Sequence, residues 1–178
     1  MSTTTLNSAA RTTLPSGFIA ALVRTDDSVT ALIARVALGL VMFPHGAQKA
    51  FGWFGGFGFE GTMGFLTGQM GLPWIVAFLV IAIETVGALL LIVGALGRLA
   101  ALGIAAVMTG AVVTSHLGNG FFMNWSGQQA GEGFEYHLLA IAMALAIVWR
   151  GSGAASLDRA LTHSTFVGET RAKGYGGR

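Results

Sequence analysis

Five side chains able to do acid–base or charge-stabilising chemistry stand at the borders of long apolar runs. His45 and Lys49 close the run "VTALIARVALGLVMFPHGAQKA". His116 closes a later one, and Glu135 and His137 open the last, "GEGFEYHLLAIAMALAIVW". Imidazole, ammonium and carboxylate groups held together can exchange protons and stabilise charge that develops on a bound molecule. Two more ionisable groups, Arg35 and Glu84, lie inside apolar runs. Ionisable residues in such settings are expensive, and they face a protein interior or a hydrated cavity.

The elements that position them follow from composition. The chain has 178 residues, 53% hydrophobic and 10% charged, with mean hydropathy +0.68. A soluble domain carries about 25% charged residues, so this composition predicts an all-α integral membrane protein in contact with membrane lipid. The net charge of +2 gives no reason to expect a nucleic-acid partner. With no cysteine, thiolate chemistry within the chain is excluded. Any redox electrons must come from a cofactor, a substrate or a partner protein.

Four segments are predicted to span: 29–50, 73–96, 98–118 and 134–150, each near the roughly 20 residues that a bilayer core requires. They would form an antiparallel four-helix bundle over residues 29–150. An arm, 1–28, precedes it without a signal-peptide pattern, and a basic, Gly-rich tail, 151–178, follows. "SGFIAALVR" predicts a short interfacial helix. Arg11, Arg24, Arg98, Arg150, Arg159, Arg171, Lys173 and Arg178 flank the spans on one side, while segments 51–72 and 119–133 have no Lys or Arg. The positive-inside rule then places both termini in the cytoplasm and these two loops outside.

In that topology His45, Gln48, Lys49, His116, Glu135 and His137 converge near the outer helix ends. Arg35, Leu38, Met42, His45 and Lys49 share a wedge of about 80° on the first helix, and Pro44 predicts a loosened turn beside His45. Glu135 and His137 stand about 200° apart on theirs; Glu135 is expected inward as the counter-ion of Lys49, with His137 facing a neighbouring helix or loop. Glu84 is expected either as the structural partner of Arg35, as a protonated side chain bonded to backbone, or as part of a proton path. Trp53, Phe54 and Trp125 lie in glycine-rich loops that read either as an interfacial belt or as a lid stacking on a flat ligand such as a quinone ring. His45, His116 and His137 leave haem or metal binding open. No metal ligand set is assigned, because no two of the three have i, i+4 spacing.

"RVALGLVMFPHGAQKAFGW", the Glu of "IAIETVGALLLIVGALGR" and "GFEYHLLAIAMALAIV" together resemble the DoxX family of small four-helix bacterial membrane proteins, over roughly residues 30–150. The resemblance implies a multi-pass protein of the bacterial cytoplasmic (inner) membrane. Family branches include the large subunit of an archaeal thiosulfate:quinone oxidoreductase and proteins linked to oxidative stress or to quinone and catechol resistance. Two readings follow. In the first, the chain is the membrane subunit of a quinone-linked oxidoreductase (ubiquinone or menaquinone), supplied with electrons by a protein partner or soluble donor. His45 or His116 would exchange protons with the ring oxygen, Lys49 would stabilise it and Glu135 would hold Lys49. In the second, the chain is a non-catalytic scaffold recruiting a soluble redox enzyme. Small residues on several helix faces suit a homodimer in either case.

Overall fold

The computed structural model describes residues 17–162, and all the regular structure among them is helical. Arg11, Arg171, Lys173 and Arg178, on which the expected topology partly rests, lie outside the described residues, as do most of the arm and tail. The elements are α1 (Phe18–Val23), α2 (Val29–Phe51), α3 (Gly58–Gly64), α4 (Trp74–Val93), α5 (Gly97–Asn119) and α6 (Glu135–Arg150). Helices α2, α4 and α5 are long and apolar enough to cross a membrane. The expected fourth span, α6, has 16 residues, about 24 Å of helix, and packs along α5 and α2. The short helix expected at the N-terminal side is α1.

Helix α2 begins where Ser28 accepts a hydrogen bond from the Ala31 N–H, and it ends at Gly52 in the left-handed conformation. Helix continues through Pro44 to Phe51, although proline has no N–H to bond the Leu40 carbonyl four residues earlier. The buried face of α2 carries Ala31, Arg35, Leu38, Met42 and Gly46 at helical spacing.

Two glycines on that face set the register with α4. A Cβ on Gly46 would stand 2.5 Å from the Glu84 carbonyl oxygen, and one on Gly39 would stand 2.9 Å from the Ala88 oxygen. Glycine at both positions lets the backbones approach. Helix α4 therefore runs antiparallel to α2, with Glu84 level with Gly46. The central core is Leu38, Met42, Leu91, Ile104, Ala101, Ala144 and Ile147, all fully or almost fully buried.

At the far end of the molecule the guanidinium of Arg35 lies in a cage of carbonyls. Its Nε donates to Ser152 O at 2.7 Å, Nη1 to Leu91 O and Ile92 O at 2.8 and 2.6 Å, and Nη2 to Ala154 O and Ala155 O at 3.2 and 2.6 Å. Leu91 and Ile92 are in the last turn of α4, where carbonyls lack intrahelical partners and a cation suits the dipole. Beside it, the Asp158 carboxylate accepts from the N–H groups of Leu96 and Gly97 and from Ser152 Oγ. Residues beyond the expected boundary at 150 are thus built into this end: Ser152 and Asp158 are buried, and Thr25 and Ser28 bond Gly153 and Ala154.

Candidate functional site

At the Lys49 end the helices do not close on one another. Trp74–Ala82 of α4 packs on α2 and on the segment from Gly58 to Gln69, and it stands off from α5. A cavity of about 550 Å³ fills the wedge, within the range of small-molecule sites.

Three π turns border this cavity: Phe65–Gln69 after α3, Ile83–Gly87 within α4 and Val112–His116 within α5. A π turn bonds i to i+5 and frees a carbonyl from its usual partner, and such turns recur at functional sites. Each of these three carries threonine at its third position. Thr67, Thr85 and Thr114 donate to the carbonyls of Met63, Ile81 and Gly110, four residues earlier, at 2.8, 2.8 and 2.9 Å. The hydroxyls thereby give the loosened backbone an acceptor's partner. The turns in α4 and α5 deliver Glu84 and His116 to the cavity wall.

The cavity lining combines a cluster of ionisable and aromatic polar groups with a stretch of apolar side chains. The rings of His45 on α2 and of Tyr136 and His137 on α6 form a row that His116 of α5 completes, with successive centroids 5.9, 5.4 and 4.1 Å apart. Lys49 Nζ donates to Glu84 Oε2 at 2.5 Å alongside. His116 Nδ1–H donates to the Glu132 carbonyl at 2.8 Å, so in the neutral ring Nε2 is an acceptor. His137 is 6% exposed and its buried Nδ1 has no hydrogen-bond partner. A buried polar atom in that condition costs free energy. On the α4–α5 side the lining includes Val76, Leu79, Val80, Val107, Gly110 and Ala111.

Of the side chains singled out from sequence, His45, Lys49, Glu84, His116 and His137 line this cavity, and Arg35, Gln48, Trp53, Phe54, Trp125 and Glu135 do not. The pairings differ from expectation in two places. Lys49 pairs with Glu84, not with Glu135, and Glu84 pairs with Lys49, not with Arg35. Register is the cause: Glu84 lies level with Gly46, so Lys49 is one turn away while Arg35 is about 16 Å along the axis. Glu135 does not turn inward as expected, while His137 faces a neighbouring helix, against the ring of His116. The buried stripe of α6 runs His137, Ala140, Ala144, Ile147, which turns Glu135 away. Its carboxylate accepts instead from the Met123 N–H and Trp125 Nε1–H at 3.0 and 3.1 Å.

The aromatic residues read either as an interfacial belt or as a lid lie at the surface. Trp53, Phe54 and Trp125 are 52%, 68% and 86% exposed. Gln48 Nε2 donates to the Phe54 carbonyl and ties that loop to α2. Their glycine-rich loop folds Trp53 against Phe43, Phe51 and Phe54 rather than over the cavity. What the loops do contribute to the wall is Phe65, Leu66, Met70, Leu72, Met123 and Glu132. Among the described residues, no three His, Asp or Glu side chains are grouped so as to hold a metal ion. Tyr136 escaped the sequence reading, although it directly precedes His137 and faces His45.

A DoxX family model matches residues 30–117, which takes in most of α2 through α5. The chain is also 32% identical over 130 residues to "Putative oxidoreductase CatD" of Bacillus subtilis (strain 168), an alignment covering 73% of this chain and 85% of that one. No solved structure matches the chain at significance.

Proposed function

The chain belongs to the DoxX family, and from that premise we propose that it is the membrane subunit of an oxidoreductase that passes electrons to or from a quinone. The observation that carries this reading is the row of proton-exchanging groups lining a lipophilic cavity, with an unpartnered buried Nδ1 on His137. Reducing a quinone to a quinol takes two electrons and two protons, one proton to each ring oxygen. The His137 imidazole bonds one oxygen, and Lys49 meets the negative charge that grows on the ring. Glu84 holds Lys49 in place. His45, Tyr136 and His116 lie within one row for proton exchange. A soluble donor or partner protein supplies the electrons, since the chain has no cysteine. The similarity to "Putative oxidoreductase CatD" supports the reaction class.

Replacing His137 by phenylalanine separates a ligand-binding role from a packing role. The ring volume stays and the orphaned nitrogen goes. Apparent thermal stability in detergent should hold or rise, by up to about 1 kcal/mol. Affinity for a water-soluble benzoquinone, measured by calorimetric titration, should fall about tenfold, the equivalent of one lost hydrogen bond of about 1.4 kcal/mol. Unchanged affinity would remove His137 from the site.

The Lys49 end belongs, in this proposal, to the outer face of the bacterial cytoplasmic membrane, and the Arg35 end to the cytoplasm. Arg24, Arg98, Arg150 and Arg159 cluster at the Arg35 end, and segments 51–72 and 119–133 carry no Lys or Arg. Alkaline phosphatase fused after residue 124 should be active in cells and inactive when fused after residue 96. The reverse pattern would invert the orientation.

A further inference from the structure

We propose that the apolar arm of the cavity, between the diverging halves of α4 and α5, is the channel for a hydrocarbon tail, and that the site takes a tailed amphiphile entering sideways from the bilayer. This inference rests on the quinone reading and specifies which quinones the site prefers.

Four observations support the channel. Most of the ionisable lining groups, His45, Lys49, Tyr136 and His137, stand on α2 and α6 and are joined by Glu84 and His116 from the π turns of α4 and α5. Val76, Leu79, Val80, Val107, Gly110 and Ala111 make an apolar stretch of lining on α4 and α5. A ligand matching both must be polar at one end and hydrocarbon at the other. Second, Trp74–Ala82 stands off from α5, so the wedge opens on the flank of two helices long and apolar enough to lie in a membrane. Third, lining residues Val76, Leu79 and Phe65 are also exposed, at 40%, 45% and 43%, which marks the mouth of the opening on that apolar flank. Fourth, a Cβ on Gly110 would meet no atom within 4 Å. Glycine there serves no helix contact and no unusual backbone angle, since it lies in regular helix. Its effect is to leave the wall of the channel recessed.

The same position gives a clean test. Gly110→Leu adds a side chain to open space, in a helix that alanine or leucine favours over glycine, and touches none of the polar row. Val76→Trp plugs the channel from the α4 side. Two probes are used, a benzoquinone without a tail and the same ring with a decyl chain, titrated into the full chain in nanodiscs. Comparing variants with each probe separately cancels the partitioning of the decyl compound into lipid. Both variants should weaken the decyl compound at least tenfold and the tail-less compound less than twofold, with thermal midpoints at or above wild type. Equal losses for the two probes, or no loss for the decyl compound in either variant, would overturn the channel while leaving the ring site standing. If neither probe binds the wild-type chain, the quinone reading fails, and this inference fails with it. Should one variant unfold, the other carries the comparison.

Discussion

Arg35→Met should lower the stability of the fold by about 4 kcal/mol or more, a large loss for one substitution. Five carbonyls from α4 and from residues 152–155 converge on this one guanidinium, which is 1% exposed. Hydrogen bonds with a charged partner contribute roughly 1.5–3 kcal/mol each. Desolvating the cation offsets part of that sum, but removing it leaves buried acceptors without donors. Gly94 sharpens the dependence. It is left-handed, with φ 71, and a Cβ there would lie 2.9 Å from Arg35 Cζ, so the turn between α4 and α5 is wrapped directly on the guanidinium. For a chain of this length the apparent melting midpoint should fall by roughly 10 °C. Lysine cannot span the cage, having three donors on a point charge instead of a planar fork, so Arg35→Lys should recover roughly half of the loss at most. Arg150→Met is the control. Its ion pair with Asp26, at 3.4 Å, joins two side chains more than half exposed, and such pairs contribute under about 1 kcal/mol. If Arg35→Met melts with Arg150→Met, the carbonyl cage is not what holds that end together.

Arg35 also illustrates what the sequence carried and what it did not. That a lone arginine in an apolar helix must be buried and satisfied was legible, because no other arrangement is tolerable in that setting. Its partners were not, because they are backbone carbonyls, which no residue type advertises. The membrane-protein class, the long helices and the inward wedge of α2 follow from composition and from a period of 3.6. Axial register does not: it is set by backbone contact at Gly39 and Gly46, and an error there assigns Glu84 to the wrong cation. The outward turn of Glu135 was not within reach of the alanine pattern. Ala140 and Ala144 stand three and seven residues after His137, but Ala142 and Ala146 stand seven and eleven after Glu135. Small residues therefore underlie both side chains, and only packing on α2 and α5 selects His137 as the inward one. The π turns were not legible as such, though a threonine at the third position of each is a local signal that fits their geometry.

The second large effect concerns the Lys49–Glu84 pair, and it decides whether the polar lining is chemistry or merely structure. Lys49→Met leaves the Glu84 carboxylate, 5% exposed, without its counter-charge. Breaking a buried pair from one side costs about 3–5 kcal/mol. The value here should lie at the lower end, because Lys49 is 28% exposed. Glu84→Met should cost less, since the flexible ammonium can turn toward the cavity. With both residues changed to methionine no unpaired charge remains, and stability should return to within about 1 kcal/mol of wild type. Ligand affinity should not follow stability. A charge-assisted hydrogen bond of about 2 kcal/mol corresponds to roughly 30-fold in affinity. The benzoquinone should therefore bind about 30-fold more weakly to Lys49→Met and to the double variant alike, and only a few-fold more weakly to Glu84→Met, which keeps the cation. The double variant is the informative one because it restores the fold without the charge. If it regains wild-type affinity together with wild-type stability, Lys49 and Glu84 serve the packing of α2 on α4 and nothing more, and the electrostatic part of the proposed mechanism has no residue left to perform it.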